Sequence, residues 1–334
     1  MRSARFITLL IISTMLVSGC GLTDRHEFAF LCSNKESVCE QWQEDFSKFS
    51  GRSVKYVRLP TVQALTRLNT NRFKPEFDAW IGGPAENFIA AKSKGLLSPY
   101  YPKHIHDIPK QFRDPEGYWF GIYGTLLGFC SDPEILKRYR LSVPNSWEDL
   151  RNKSYRGLIS ASNPLTSGTG FTVLRTLESI YGSDTKNAIK SIYFNVSRLT
   201  SSEASPVRVV QAGEAAIAIT TTTYCLPNST LKHALTISYP AEGTSYEIGG
   251  AALLKGSKHA TAAKEFLDWL ASSQGQKVAS SFPHSQLATS RKTHHSLQNQ
   301  IASPAAPPVL DINPALFAHR RDFWISWFAK QMWD

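Results

Sequence analysis

Residues 158–171 read Leu158-Ile159-Ser160-Ala161-Ser162-Asn163-Pro164-Leu165-Thr166-Ser167-Gly168-Thr169-Gly170-Phe171. The apolar run Leu158–Ala161 predicts a strand, and Ser167 opens a helix with its apolar stripe at Phe171, Leu174, Leu177 and Tyr181. Glycines let the chain turn tightly between the two elements, and a Ser or Thr hydroxyl caps the helix. The first amides of that helix, at the positive end of its dipole, make an anion cradle. The motif is not a P-loop, because no Gly-Lys-Ser/Thr follows, and it is not the GxGxxG fingerprint. Nor is it a nucleophile elbow, because Leu165 stands where that motif needs glycine. The same residues also read as an ordinary capped helix.

Outward from this point the pattern repeats. Phe28–Leu31 predicts a strand, followed by an amphipathic stretch around Trp42, Phe46 and Phe49. Val54–Val57 is a second strand, Val62–Leu68 a helix and Phe77–Ile81 a third strand, after which Gly82-Gly83-Pro84 opens another helix. A Pro- and His-rich connection, Ser98–Pro115, leads to Tyr118–Tyr123 and Leu126–Phe129. Trp147–Leu150 starts a second set, which closes with Ala215–Thr220 and Leu235–Tyr239. Ile248–Leu254 is apolar again, Ala263, Phe266, Leu267 and Leu270 form a helical stripe, and Phe317, Trp324, Trp327 and Phe328 form a docked tail helix. Strands alternating with helices imply parallel βαβ units. Cys32-Ser33-Asn34 and Gly82-Gly83 also stand at strand ends, so with the Ser167 turn they are expected to face one cleft.

The chain has 334 residues, enough for about two domains. Its 42% hydrophobic and 19% charged composition excludes a disordered chain or a coiled coil. The formal charge is +10, and from Cys20 onward 35 basic residues face 27 acidic ones, an excess that favours anionic partners. No basic cluster occurs, so nucleic acid is not an expected partner. Arg2 and Arg5 precede the apolar run Phe6–Val17, which is too short to span a bilayer and reads as a signal peptide over residues 1–19. The sequence Leu16-Val17-Ser18-Gly19-Cys20 resembles the bacterial lipoprotein signal, which implies lipidation at Cys20, export and a tether to a membrane of the envelope. The other cysteines, Cys32, Cys39, Cys130 and Cys225, allow three disulfide pairings or free buried thiols. His104 and His106, and His294-His295, lack acidic or Cys partners at ligand spacing, so no metal site is assigned. No nucleophile has an assignable base, so an enzyme is not expected.

Together the turn Pro164–Gly170, the segments Trp80–Pro84, Gly95–Tyr100, Gly213–Ile217 and Pro240–Ala252, and the tail His319-Arg320-Arg321 resemble bacterial ABC-transporter solute-binding proteins. The resemblance covers about residues 27 to 328 and falls within the binders of ferric iron and of organophosphates: hexose phosphates, phosphoglycerate-type acids and 2-aminoethylphosphonate. It implies the α/β type II periplasmic-binding-protein fold, with two lobes joined by two hinge crossings near Thr125–Cys130 and Ile237–Gly249. Residues 27–125 plus 245–334 would form the first lobe and 126–244 the second. Ferric binders of this group use adjacent tyrosines, whereas Tyr224 is followed here by Cys225, and Tyr100-Tyr101 lies in the Pro-rich first-lobe segment. The resemblance therefore implies a monomer that captures a phosphate ester or phosphonate without a cofactor. Ser167, Gly168 and Thr169 would hold the phosphate. Ser33, Thr125, Ser202, Thr222 and Tyr224 would contact the remainder, with Glu247 on an amino or hydroxyl group. Its partners would be an inner-membrane permease and ATPase. The alternatives are a sensing subunit that regulates a membrane histidine kinase, a ferric-iron binder, and a secreted phosphatase.

Overall fold

A computed structural model describes residues 28–226, 235–281, 284, 286–294, 296–302, 306–310, 312 and 314–333. The signal segment and Cys20 lie outside the described residues. In chain order the first part is β1 (Phe28–Cys32), α1 (Glu36–Ser50), β2 (Val54–Arg58), α2 (Thr61–Thr70), β3 (Ala79–Pro84), α3 (Ala85–Ser93) and β4 (Leu97–Ser98). A long strand, β5 (Phe120–Ser131), follows. The middle part comprises α4 (Pro133–Arg138), α5 (Trp147–Arg151), β6 (Ile159–Ser162), α6 (Gly168–Tyr181), α7 (Thr185–Phe194), β7 (Val196–Thr200), α8 (Ser205–Gln211), β8 (Ile217–Thr221) and β9 (Thr236–Ser238). The chain ends with β10 (Tyr246–Leu254), α9 (Ala260–Ala271), α10 (Ser273–Ser280), α11 (Leu297–Ile301) and α12 (Pro314–Trp333). Among the described residues, no helix is long and apolar enough to cross a membrane.

The strand order is β2-β1-β3-β10-β5-β8-β6-β7. β1 pairs in parallel with β2 and β3, and β6 pairs in parallel with β7 and β8, as the alternating pattern predicts. β10 and β5 are antiparallel insertions between these two parallel sets. The two apolar stretches Tyr118–Tyr123 and Leu126–Phe129 form parts of one strand, not two. Up to Leu126 β5 pairs with β10, and from Leu127 it pairs with β8, so its partners change at a single peptide. β3 also runs further than expected, because Gly82-Gly83-Pro84 stay within the strand, both glycines at positive φ, and Pro84 pairs with Gly249 of β10. α3 therefore starts at Ala85.

Two apolar clusters lie on either side of that peptide. The first packs Phe28, Phe30 and Phe46 around Phe266, with ring centres 4.8–5.1 Å apart, and stacks Trp80 on Phe88 at 4.2 Å. The second sets Trp147 edge-on to Phe129 at 4.9 Å and buries Phe171, Leu174 and Leu177 of the predicted α6 stripe. Each fully buried ring contributes about 1.5–3 kcal/mol, which explains why these residues organise separate cores. α12 docks as expected, but Trp324 and Phe328 enter the second cluster, and Phe328 meets Tyr193 edge-on at 4.8 Å. α12 also packs on α3, and Arg320 pairs with Glu178 of α6, so the tail helix bridges both clusters. Cys32–Cys39 and Cys130–Cys225 form disulfides, which resolves the pairing left open by the sequence.

Candidate ligand-binding cleft

Three strand-to-helix turns converge between the two clusters. After β1, the Lys35 amide donates to Asn34 Oδ1 at 2.7 Å, while Asn34 and Gln286 exchange side-chain hydrogen bonds of 2.9 and 3.2 Å. Trp80 Nε1 donates to Ser33 Oγ at 3.0 Å, fixing that hydroxyl at the cleft. At the end of β3, Gly82 and Gly83 have φ of 79° and 80°. A Cβ on Gly83 would lie 2.4 Å from Thr61 Oγ1, so this turn requires glycine for both conformation and space. From the opposite side, Ser167 caps α6 by accepting from the Gly170 amide. Gly168 is pressed so close to Pro84 that an added Cβ would lie 2.6 Å from the proline ring.

The convergence encloses a cavity of about 10 Å³ lined by Ser33, Arg58, Pro60, Thr61, Ser167, Gly168, Ser202 and Glu203. That is roughly the room for one water, so the two sides are closed upon each other. Arg58 enters from the end of β2 and donates through Nε to the Asn34 carbonyl at 3.0 Å. The N-terminus of α6, the positive end of its dipole, borders this space through Ser167 and Gly168. Its first amides have no intrahelical partner, and that of Gly170 is taken by the Ser167 cap.

From Glu203, which lines this space, a second set of charges runs deeper into the cleft. Thr169 Oγ1 stands 3.2 Å from both Glu203 Oε2 and Glu247 Oε2. Burial, reinforced by the nearby Glu203 carboxylate, pushes the Glu247 carboxyl up to about 8, against the opposing pull of Arg175. Its Oε1 is buried without a hydrogen-bond partner. The Tyr224 hydroxyl donates to Glu203, and the Tyr224 ring lies 4.2 Å below Lys35 Nζ. Lys35 also donates to the carbonyls of His284 at 3.3 Å and Thr223 at 3.5 Å. Burial lowers its ammonium to about 8, with Glu203 opposing. Tyr123, fully enclosed, accepts from the Gly83 amide at 3.0 Å, and burial together with Glu203 holds its phenol well above the ordinary value. Behind this group, Arg175 of α6 pairs with Glu86 of α3, both buried, and donates to the Tyr246 carbonyl.

The expected residues therefore fall into three places. Ser33, Ser167, Gly168 and Ser202 line the cavity, whereas Thr169, Tyr224 and Glu247 form the deeper polar group. Thr125 pairs with Glu247 across β5 and β10, its buried hydroxyl without a partner. Thr222 is committed elsewhere, 3.3 Å from the Leu126 carbonyl and 3.0 Å from the Tyr239 hydroxyl, so it braces the crossing. Sequence reasoning passed over Lys35, Arg58, Glu203 and Tyr123. Lys35 and Glu203 each follow directly on a residue that was singled out, and Arg58 ends a recognised strand. The strand-end rule extended by one residue finds all three.

Residues 85–315 match the family described as bacterial extracellular solute-binding protein. An uncharacterized protein of Haemophilus influenzae is 30% identical over 278 residues, 81% of this chain and 80% of that one. The probable ABC transporter periplasmic-binding protein y4fP of Sinorhizobium fredii is 27% identical over 116 residues, 35% of this chain and 32% of its own. Among solved structures, the periplasmic binding protein AfuA from Actinobacillus pleuropneumoniae, with exogenous fructose-6-phosphate bound, has a TM-score of 0.83 at 26% identity, covering 91% of this chain and 98% of that one. Iron-bound HitA from Pseudomonas aeruginosa has a TM-score of 0.77 at 18% identity over 90% and 99%, a likeness of fold alone. The fold is the α/β type II arrangement of periplasmic binding proteins, and the chain belongs to the bacterial extracellular solute-binding proteins of ABC-transporter type.

Proposed function

We propose that this protein captures a small phosphorylated organic anion between its lobes, residues 27–125 plus 245–334 and 126–244, and delivers it to an ABC permease and its ATPase. The observation that carries the reading is the facing of Arg58 and Ser33 against Ser167 and Gly168 at the N-terminus of α6. A guanidinium, a hydroxyl and uncommitted helix amides suit a phosphate, which takes both charge and multiple donors. Glu203 and Glu247 then suit the hydroxyl or amino groups of the organic part. The Glu203 carboxylate repels a second anion, and Glu247, whose carboxyl is pushed up to about 8, offers a protonated or charged partner to such groups. Lipidation at Cys20, a monomeric state and the periplasmic face of a membrane complete this reading. The sensing alternative, in which the loaded protein regulates a histidine kinase, uses the same cleft.

The test is thermal unfolding of residues 21–334 against hexose phosphates, phosphoglycerates, 2-aminoethylphosphonate, inorganic phosphate and ferric citrate. A ligand at 100 times its dissociation constant adds about 2.7 kcal/mol, a rise of several degrees. A rise with one phosphate ester or phosphonate supports the reading, and a rise with none of them overturns it.

One observation favours ferric iron as a second reading. Tyr123 and Tyr224, far apart in sequence, are both coupled to Glu203, so the lack of adjacent tyrosines does not remove hard oxygen ligands from the cleft. Against it, burial holds both phenols in the protonated form. A rise with ferric citrate alone, with a visible phenolate-to-iron absorption, would select this reading.

A further inference from the structure

The two disulfides sit at the two turns that touch across the cleft. Cys32 ends β1 and Cys39 lies in the first turn of α1, so their bond closes a loop around Ser33, Asn34 and Lys35. Cys225 directly follows the turn Thr222–Tyr224, and its bond anchors that turn to Cys130 on β5. All four cysteines are buried. The contact between the two stapled turns is the Lys35 ammonium, above the Tyr224 ring and within reach of the Thr223 carbonyl. Lysine has a flexible four-carbon stem, so its head stays seated only where its backbone is fixed. Here the fixing comes from the Cys32–Cys39 bond together with the Asn34–Gln286 pair, Arg58 Nε on the Asn34 carbonyl, the Val38 and Cys39 amides on the Lys35 carbonyl, and the bond from the Ser33 amide to the Ile81 carbonyl, 2.8 Å. The receiving surface is fixed in the same way, because Cys225 holds the end of the turn that carries Tyr224.

We propose that the two disulfides are positioning elements of the binding cleft, coupled to each other through Lys35, so that loosening either staple loosens the turn on the far side. The inference rests on the cleft being the binding site, but its test requires no ligand. Amide hydrogen exchange of the ligand-free protein would be compared with that of Cys32→Ala/Cys39→Ala and Cys130→Ala/Cys225→Ala variants that still unfold cooperatively. Loss of one desolvated cation–π contact and its hydrogen bond corresponds to about tenfold faster local opening. Cutting Cys32–Cys39 should therefore speed exchange at residues 222–225 about tenfold, and cutting Cys130–Cys225 should do the same at residues 33–36. In a Lys35→Met background both cross-cleft effects should vanish, an outcome that a purely local staple does not produce. Changes confined to the turn that lost its own disulfide would overturn the proposal. Should the cysteine variants fail to fold, Lys35→Met alone decides: faster exchange at both turns supports the coupling, and no change at either refutes it. A ligand panel in which no phosphate ester binds would count against the phosphate reading and leave this result untouched.

Discussion

The two banks of the cleft are built alike and charged differently. Each presents a turn between a strand and a helix, and on each a disulfide ties a turn that borders the cleft, Ser33–Lys35 on the first bank and Thr222–Tyr224 on the second. The first bank offers Lys35 and Arg58, whereas the second offers Glu203 beside the N-terminus of α6, with Glu247 arriving from the hinge strand. The difference teaches that Glu203 lines the same space as Arg58 and the N-terminus of α6, so an anion held there sits toward Arg58 and the helix amides and away from that carboxylate. Glu247 lies deeper, beyond Thr169. A ligand with one phosphorylated end and one hydroxyl- or amine-bearing end matches that gradient, and a simple anion uses only half of it.

The strongest way to break the comparison is to cut the ionic tie between the banks. Glu86→Ala leaves Arg175 buried without its carboxylate and should cost about 3–5 kcal/mol, read as a lower midpoint of urea unfolding. Gly168→Ala drives a methyl into Pro84 and should cost about 1–3 kcal/mol of overpacking. It should also hold the lobes apart, seen as a larger radius of gyration in solution scattering. Gly168→Asp adds a carboxylate where the phosphate belongs and should abolish anion binding; retained affinity in a folded protein would move the site elsewhere. Ser167→Ala keeps the banks in place and should weaken binding of a phosphate ester by about 1–3 kcal/mol in titration calorimetry.

The smallest effect concerns pH. The Glu247 carboxyl titrates near 8 when folded and near 4.5 when unfolded, so the folded protein binds the extra proton between these values. Its contribution is fully present below about 4.5 and is lost as pH rises through 8. Glu247→Gln should therefore flatten the fall in melting temperature between pH 6 and 8, with Glu203, Arg175 and Glu86 still facing the position. An unchanged slope would assign the titration to another group.

Much of this was legible in the sequence because strand and helix periods are local. The parallel strands, the Ser167 cap and the buried stripe of α6 follow from residue spacing alone. β3 ran past its expected end because pairing of Pro84 with Gly249 overrides the ordinary preference of two glycines for a turn. β5 looked like two strands because Gly124 and Thr125 interrupt its apolar run, and only the pairing of both residues with β10 shows that the strand continues through them. The acidic part of the cleft was hidden for a different reason. Glu203 reads alone as a solvated surface charge, and its approach to Glu247 is made by packing between segments that sequence does not order. Lys35 was hidden in the same way, because its head lies over a ring 189 residues further along the chain.

The change of partners along β5 has a mechanical consequence. The ladder to β10 ends at Leu126 and the ladder to β8 begins at Leu127, and the joint is tied by the Leu127 amide on the Ser245 carbonyl at 2.9 Å and by the Thr222 hydroxyl on the Leu126 carbonyl at 3.3 Å. Resistance to a movement of one side against the other therefore lies both in these joint bonds and in the side chains that reach across, the Glu86–Arg175 pair and the Lys35 seat. A strand shared in this way gathers any bending of the sheet at one position, whose stiffness is set by a few named bonds and not by a whole ladder.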